Sequence, residues 1–327
     1  MEFIGIDHGN GNMKTENIVF PCGFKVQETK PSSLFAKDII EYNEMFYSLT
    51  TNRNSYSTDK TKTNDAFILT LFSIAKEIIA REQIKRESFD FKKDFKGYIG
   101  KDVLLAVGLP PAHIENKSVN FKEYFLEKAK YGIKFKYNDK PFDFYLKDVV
   151  VLPQDYAAAI VFKQDMLQKY STCYCIDIGD GTVDMVGLTA GVPDKDTIVS
   201  REFAMSKLRS MIIDDVINDY GITLDNKTVE DFLFGKELGI APDLAEKIKE
   251  RIDRTSEEFA TELINQLHTK VADFRVFPVI FCGGGALALR KYFDRSGAFG
   301  MTEYIEDIHA NAIGYQELAR LSLKMAG

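Results

Sequence analysis

Two short strings of the sequence combine an aspartate with alternating glycines, a pattern that can hold a phosphate group. The string Ile-Asp-x-Gly-x-Gly occurs at residues 6–11 and again at residues 176–181. Glycines at alternate positions let the backbone take positive φ angles without steric penalty, so successive N–H groups can converge on an anion. The competing interpretation is a pair of tight β-turns whose aspartates are incidental.

The side chains beside the two turns suit the same chemistry. Asn10, Asn12 and Thr182 can donate to phosphate oxygens, and Lys14 supplies a point charge. A bare carboxylate repels phosphate, so Asp7 and Asp177 need a separate explanation. Both carboxylates are explained if they help to bind a Mg²⁺ ion that lies between them and the β- and γ-phosphates of a nucleotide. Mg²⁺ keeps several waters in most proteins, so we expect contact through water.

A third glycine-rich turn, Gly283-Gly284-Gly285, follows an apolar run and precedes a predicted helix. Such a turn allows an α-phosphate or a ribose to press close to the backbone. It is not G-x-G-x-x-G, and the string G-x-x-x-x-G-K-[ST] is absent from the sequence. The sequence therefore favours neither a Rossmann dinucleotide site nor a P-loop.

The elements that must position these turns alternate between strands and helices, which predicts layered α/β domains. Apolar and alternating runs predict two hairpins, of residues 2–7 with 12–20 and of residues 173–189. Further strands are predicted at 103–109, 149–152 and 276–281, and helices at 154–169, 243–268 and 310–324. Two matching hairpins in two halves of the chain indicate a duplicated domain with an approximate twofold axis.

The composition bounds the class of protein. The 327 residues are 45% hydrophobic and 28% charged, which is typical of a globular protein with room for two domains. The net charge of −7 argues against a chain-wide affinity for DNA. Four cysteines without zinc-type spacing indicate reduced thiols in a cytoplasmic protein. Neither a signal peptide nor a membrane-spanning run is predicted.

Five motifs of the sequence resemble those of the actin-like ATPase superfamily. Two are the phosphate strings, at residues 3–14 and 177–184; the others are an adenosine motif at 279–286 and connecting helices at 152–159 and 311–315. The resemblance implies a duplicated, ribonuclease H-like α/β fold of two lobes with the nucleotide in the interdomain cleft. It implies a domain I of residues 1–152, with a C-terminal helix of about 310–327 packing back on it, and a domain II of residues 153–309.

The same resemblance implies which residues bind the nucleotide. They are Asp7, Gly9, Asn10, Gly11, Asn12 and Lys14 in the first turn, Gly179, Asp180, Gly181, Thr182 and Asp184 in the second, and Gly283, Gly284 and Gly285 in the third. Asp184 matches the family's Thr-x-Asp, although its role could be limited to orienting the hairpin.

Within the superfamily, the sequence is similar to bacterial ParM/StbA-type plasmid segregation proteins. The similarity lies in residues 7–14, 108–110, 151–153 and 311–314. Such proteins bind ATP or GTP with Mg²⁺, polymerise, and hydrolyse the nucleotide within the filament, while a DNA-binding adaptor of ParR type caps the filament. The resemblance implies a cytoplasmic ATPase or GTPase whose filaments segregate plasmid DNA. It implies neither direct DNA binding nor membrane binding.

Gln154 departs from the segregation proteins, which often have glutamate after this proline, whereas actin has glutamine. An amide is too weak a base to accept a proton, so the predicted catalytic role of Gln154 is to position the attacking water. Asp177, the second predicted catalytic residue, could accept a proton through water. A solvent-facing Gln154 at a helix start is the other interpretation. Lys207 and Arg209 could reach the nucleobase of the bound nucleotide, but a solvated helix face is favoured for both.

Three other functions fit the same superfamily. A cytoskeletal or organelle-positioning filament is the first alternative, and a membrane-binding N-terminal segment would favour it. A small-molecule kinase would need extra substrate-binding segments and a base that faces a second pocket. A chaperone-type ATPase would need a substrate-binding domain after the C-terminal helix. The sequence favours the segregation filament over all three.

Overall fold

The computed structural model describes residues 1–32, 34, 36–51 and 59–326, and the chain divides into two compact units. The first unit comprises Met1–Phe162 and His309–Gly327, and the second comprises Lys163–Ile308. Gly327, the last residue of the predicted C-terminal helix, lies outside the described residues.

Strands and helices alternate along the described residues. The strands are β1 Glu2–His8, β2 Asn12–Lys14, β3 Val19–Pro21, β4 Phe24–Gln27, β5 Ile39–Tyr42, β6 Met45–Leu49, β7 Tyr98–Leu109, β8 Ile133–Tyr137, β9 Lys140–Pro153, β10 Thr172–Ile178, β11 Val183–Thr189, β12 Val192–Arg201, β13 Pro278–Cys282 and β14 Met301–Tyr304. The helices are α1 Asp65–Ile84, α2 Phe91–Asp94, α3 Ile114–Lys128, α4 Tyr156–Phe162, α5 Gln164–Lys169, α6 Met205–Tyr220, α7 Asn226–Leu233, α8 Pro242–Leu267, α9 Gly284–Ser296 and α10 Ala310–Ala326.

The sheet of the first unit has the strand order β3-β2-β1-β7-β9-β8-β5-β6-β4 within the described residues. Its centre is parallel, because β1 and β9 both run parallel to β7. Alternate residues of a strand point to opposite faces. Val103, Leu105 and Val107 accordingly join a core with residues of α1 and α3. Leu104 and Ala106 join a second cluster with Tyr315 and Ala319 of α10.

Helix α10 approaches the centre of this sheet so closely that only glycine fits beneath it. A Cβ at Gly5 would lie 1.9 Å from the Ala312 carbonyl oxygen, and one at Gly108 would lie 2.0 Å from the Tyr315 hydroxyl. On the helix itself, a Cβ at Gly314 would lie 2.5 Å from the Ala157 carbonyl carbon of α4. These contacts fix α4 and α10 against the strands that carry the first hairpin.

The sheet of the second unit has the order β12-β11-β10-β13-β14 within the described part of the chain. Strand β10 pairs antiparallel with β11 and parallel with β13. Strands β10 and β13 end at the same edge of the sheet because they are parallel. Asp177 is paired there with Cys282, the residue directly before the triple glycine. The core between this sheet and α6, α8 and α9 is apolar; among its buried side chains are Leu208, Phe259 and Phe293.

The structure confirms the α/β class and the two hairpins, and it corrects several element boundaries. The strands predicted at 103–109 and 149–152 are longer, Tyr98–Leu109 and Lys140–Pro153, because the two strands pair with each other beyond their apolar runs. The predicted strand of residues 12–20 breaks after Lys14, because Thr15 and Ile18 close a turn that is bonded to Glu77 of α1. The predicted helix of residues 154–169 begins only at Tyr156 and breaks at Lys163. Asp155 has a φ of 58°, which a continuous helix cannot accommodate.

The first compact unit extends to Phe162, beyond the predicted domain boundary at residue 152, because α4 packs against α10. Among the described residues, no helix combines the length and the apolar character needed to cross a membrane.

Candidate functional site

The first hairpin holds its aspartate beside a lysine. Strands β1 and β2 pair so that Asp7 stands opposite Lys14, and the Lys14 Nζ lies 3.4 Å from the Asp7 Oδ2. The Asp7 side chain is only 5% exposed, and the lysine is largely buried as well. A buried carboxylate needs such a partner, since an uncompensated buried charge is strongly unfavourable.

Gln154 lies on the same carboxylate. Its Nε2 donates to the Asp7 Oδ1 at 3.3 Å, and its backbone N–H donates to the Leu109 carbonyl at 2.9 Å. Gln154 is half-buried and directed onto Asp7, so the solvent-facing interpretation is wrong. The structure therefore brings together three predicted site residues, Asp7, Lys14 and Gln154, that are far apart in the sequence.

The carbonyl groups of the first turn are bonded to protein donors. Cys22 donates its thiol to the Gly9 carbonyl at 3.0 Å and its backbone N–H to the Gly11 carbonyl at 3.1 Å. The Lys60 ammonium donates to the His8 carbonyl. The acceptors of the turn are thus satisfied from the protein side. The half-buried Asn10 and Asn12 belong to the same turn.

His8 anchors this turn to the core of the first unit. Its ring packs against Phe121 and Phe125, and its Nε2 is 2.7 Å from the Thr70 hydroxyl. Burial, helped by the charge of Lys60, lowers the pKa of His8 to about 3, so the ring is neutral at physiological pH. His8 therefore serves the hairpin as a buried anchor and not as a cation for phosphate.

The glycines of the two hairpins are needed for close approach and not for positive φ. Neither Gly9 nor Gly179 has a positive φ, so that expectation from the sequence is wrong. A Cβ at Gly9 would lie 2.6 Å from the Asn12 carbonyl oxygen, and one at Gly179 would lie 3.1 Å from the Thr182 carbonyl oxygen. The narrow turn excludes a larger residue at Gly9 and leaves little room for one at Gly179.

The second hairpin repeats the arrangement in the second unit. Asp177 stands opposite Asp184 on the paired strands, and the turn is closed by the Gly179 N–H bonded to the Thr182 carbonyl at 2.9 Å. The Thr182 hydroxyl donates to the Asp184 Oδ2 at 2.9 Å. Asp184 is buried, so this contact with Thr182 gives it a role in orienting the turn.

Helix α6 begins on the carbonyl groups of the second turn. Met205 N–H donates to the Gly179 carbonyl at 3.3 Å, and Ser206 N–H donates to the Asp180 carbonyl at 2.8 Å. Arg209 of the same helix is buried, and its NH2 lies 2.6 Å from the Asp180 Oδ1. The prediction of a solvated face is therefore wrong for Arg209, whereas Lys207 is exposed as expected.

The triple glycine packs directly on the end of β10. Gly283 has a φ of +84°, and a Cβ there would lie 2.2 Å from the Asp177 Oδ1. A Cβ at Gly285 would lie 2.5 Å from the Ile178 Cγ2. Helix α9 begins at Gly284 without a side-chain cap, so its first N–H groups start beside Asp177. The third predicted turn and the second hairpin form one cluster within the second unit.

Sequence reasoning missed the residues that hold the two turns in place. Cys22 and Lys60 act through bonds to backbone carbonyls, which no spacing in the sequence encodes. Arg209 carried a signal in the sequence, since its spacing from Met205 and Ile212 places it on the apolar face of its helix. Among the described residues, no group of three or more His, Cys, Asp or Glu side chains could hold a metal ion by itself.

Known proteins resemble the chain in sequence over part of its length and in structure over nearly all of it. A family profile described as "Archaeal actin homologue MreB-like, C-terminal" matches residues 175–295. An archaeal actin homologue superposes with a TM-score of 0.74 at 16% identity, covering 98% of this chain and 100% of that one. A ParM filament subunit from Clostridium botulinum gives 0.73 at 16% identity, covering 98% and 99%. The chain has the actin-like fold.

Two further solved structures share this fold. The actin-like protein Alp7A superposes with a TM-score of 0.72 at 15% identity, covering 99% of this chain and 97% of Alp7A. The archaeal actin homologue has also been solved as a complex with ADP, and that structure gives 0.73 at 15% identity, covering 98% and 100%. No curated protein sequence matches the actin-like chain significantly.

Proposed function

We propose that the chain is a nucleotide-dependent filament protein that hydrolyses ATP or GTP. The observation that carries this proposal is the group of Asp7, Lys14 and Gln154 at the first turn, where a carboxylate, a cation and an amide meet. The second unit carries a matching hairpin with Asp177 at the corresponding strand end. ADP is bound by a protein of the same fold, the archaeal actin homologue.

The phosphates are bound chiefly by backbone N–H groups of the two turns. This assignment is supported by the turn carbonyls, which already bond to Cys22 and Lys60 in one hairpin and to the start of α6 in the other. Donors are what a phosphate requires. Lys14, Asn10 and Asn12 add side-chain donors to the backbone N–H groups of Gly9, Gly11, Asp180 and Gly181. Gly179 and Thr182 act by shaping the turn, because the Gly179 N–H is bonded to the Thr182 carbonyl and the Thr182 hydroxyl donates to Asp184.

The triple glycine Gly283-Gly284-Gly285 lies beside the α-phosphate or the ribose. The absence of side chains there and the uncapped start of α9 both suit a close nucleotide contact. Asp184 acts at one remove, because it holds the hydroxyl of Thr182.

The carboxylates fit a Mg²⁺ ion held mainly by water and phosphate. Each described hairpin offers one strand-end carboxylate, Asp7 or Asp177, and not a cage of protein ligands. Asp7 already accepts from Lys14 and Gln154, yet a carboxylate has about four lone-pair sites, so water can still bind. When bound, Mg²⁺ neutralises charge that develops on the phosphates.

Gln154 and Asp177 carry the hydrolysis step. Because the Nε2 of Gln154 donates to Asp7, its Oε1 is the atom that can accept a hydrogen bond from the attacking water. Glutamine positions that water without taking its proton. Asp177 accepts the proton through a second water, in addition to holding the waters of Mg²⁺.

The filament is proposed to segregate plasmid DNA in the cytoplasm through a DNA-binding adaptor of ParR type. The similarity to the ParM filament subunit supports this role. The chain itself touches neither DNA nor membrane in this proposal. A cytoskeletal or organelle-positioning filament is the second candidate, favoured by the archaeal and MreB-like similarities. A small-molecule kinase is less well supported.

Polymerisation is tested by light scattering, sedimentation and electron microscopy of the purified chain with Mg²⁺ and ATP, GTP or a non-hydrolysable analogue. We expect filaments that form only with a nucleoside triphosphate, followed by release of phosphate. A monomer that binds nucleotide, never polymerises and phosphorylates a sugar would instead identify a kinase. Pull-down of a plasmid-encoded DNA-binding protein by the filaments, and not by the monomer, separates the segregation role from the cytoskeletal one.

A further inference from the structure

The second phosphate turn carries an ion pair that the proposed hydrolysis does not use. Arg209 NH2 lies 2.6 Å from the Asp180 Oδ1, and the two side chains are 6% and 20% exposed. The Arg209 Nε is buried and has no hydrogen-bond partner among the described residues. An arginine is rarely buried to this extent unless a specific charge must be met.

The place of Asp180 explains the need for a cation. Asp180 lies between Gly179 and Gly181 in the turn whose N–H groups are proposed to bind phosphate. A carboxylate at this position opposes a triphosphate by its charge. Its backbone carbonyl is fixed separately by Ser206 at the start of α6. The side chain of Asp180 is therefore a liability for anion binding unless its charge is cancelled.

We propose that Arg209 is a positioning residue of the second phosphate turn. It cancels the charge of Asp180 and holds that carboxylate against α6, so that the N–H groups of Asp180 and Gly181 face the nucleotide. This inference rests on the proposed nucleotide binding and deepens it. It also divides the role of Asp180, whose backbone serves the phosphate while its side chain serves the turn.

A comparison of four proteins separates this role from a purely structural one. They are the wild type, Arg209→Met, Asp180→Asn and the double variant, each titrated with a non-hydrolysable ATP analogue and with ADP in the presence of Mg²⁺. Arg209→Met removes the cation that faces the Asp180 carboxylate and should weaken binding of the ATP analogue at least about tenfold, as loss of one partner of a buried charge pair does. The loss should be smaller for ADP, which carries less charge.

The double variant should restore binding of the ATP analogue to within about threefold of the wild type, because neither charge of the pair remains. Asp180→Asn alone should bind the analogue at least as tightly as the wild type. Arg251→Met is the matched control: it removes the ion pairs of α8 with Asp215 and Asp219 of α6, each 2.9 Å long, in the same unit. It should lower the melting temperature without changing the Kd.

Melting temperatures of all variants show whether each one is folded. Wild-type affinity in a folded Arg209→Met protein would overturn the inference and leave the proposed function intact. So would equal losses of affinity in Arg209→Met and the double variant, or weaker binding by Asp180→Asn. If Arg209→Met does not fold, the double variant and Asp180→Asn decide by the same criteria. Absence of nucleotide binding by the wild type would overturn the proposed function, and this inference with it.

Discussion

At the scale of single residues, the hydrogen bonds of Gln154 support its proposed role in positioning the attacking water. Gln154 is held by two hydrogen bonds. Its side-chain Nε2 donates to Asp7, and its backbone N–H donates to the Leu109 carbonyl. A side chain held in this way presents its Oε1 in one direction. Phosphoryl transfer is catalysed mainly by positioning and electrostatic stabilisation, and a fixed acceptor for the attacking water contributes to the positioning.

Gln154→Ala should lower the kcat of hydrolysis by roughly ten- to a hundredfold, because the attacking water loses its fixed acceptor. Nucleotide affinity should change little, since the turn amides and Lys14 remain. Single-turnover hydrolysis and a titration with a non-hydrolysable analogue measure the two quantities. Gln164→Ala, an exposed glutamine at the first position of α5, serves as control and should leave both unchanged. A normal kcat in Gln154→Ala would remove Gln154 from catalysis.

The sequence predicted the polar residues of the candidate site better than it predicted their partners. The carboxylate at each strand end and the lysine opposite Asp7 follow from short-range spacing, because a hairpin pairs residues that are close in sequence. The contact between Gln154 and Asp7 spans 147 positions, and the family resemblance implied only that both residues belong to one nucleotide site. Arg209 was misjudged because a helix surface pattern shows which side is apolar, but not which carboxylate lies against it.

At the scale of elements, helix α8 and the apolar parts of the strands were predictable, whereas the full strand lengths and the interruptions were not. Helix α8 has periodic apolar residues along most of its length, so its own sequence specifies it. Strand β7 begins at Tyr98, before its apolar run, where it is defined by pairing with β9. The end of β2 depends on Glu77, a fully buried residue of α1 that accepts from Thr15 at 2.6 Å. The late start of α4 depends on how tightly it packs against α10. Such causes lie outside the local sequence.

The contact of α10 with β1 gives a prediction at this scale. Gly5→Ala places a methyl group 1.9 Å from the backbone oxygen of Ala312, so the helix or the strand must shift. Overpacking of this kind lowers the free energy of unfolding by about 1–3 kcal/mol. Denaturant unfolding should show that loss in Gly5→Ala and none in Gly239→Ala, where the new Cβ meets nothing within 4 Å. Equal stability of the two variants would show that α10 is not seated on β1 as described.

Nucleotide affinity should fall with the stability of Gly5→Ala, because β1 carries Asp7 directly after Gly5 and Ile6. Gly5 and Gly108 both allow the close approach of α10. Gly5 lies on β1, which leads to the first hairpin, and Gly108 lies on β7, whose last residue, Leu109, accepts a hydrogen bond from the Gln154 N–H. Packing at one end of the sheet and geometry at the other are therefore linked through rigid strands.

At the scale of the whole molecule, the proposed function links nucleotide state to assembly. The actin-like fold is shared by a ParM subunit that was solved in a filament and by an archaeal protein that is described only as an actin homologue. A fold by itself does not specify a function. Support for the proposed cycle must therefore come from the dependence of filament lifetime on nucleotide hydrolysis. If hydrolysis makes the filament unstable, a variant that binds but cannot hydrolyse should arrest the cycle in the assembled state.

Asp177→Ala supplies that variant. It removes the carboxylate that is proposed to hold the waters of Mg²⁺ and to accept the proton, while the turn from Gly179 to Thr182 keeps its closing hydrogen bond. Phosphate release should fall at least about a hundredfold, the scale of losing a general base, and filaments formed with ATP should persist in light scattering after wild-type filaments have decayed. Asp196→Ala, which removes an exposed carboxylate on β12, should behave like the wild type in both measurements. Persistent filaments with normal phosphate release would uncouple hydrolysis from disassembly, and wild-type behaviour in both would exclude Asp177 from the cycle.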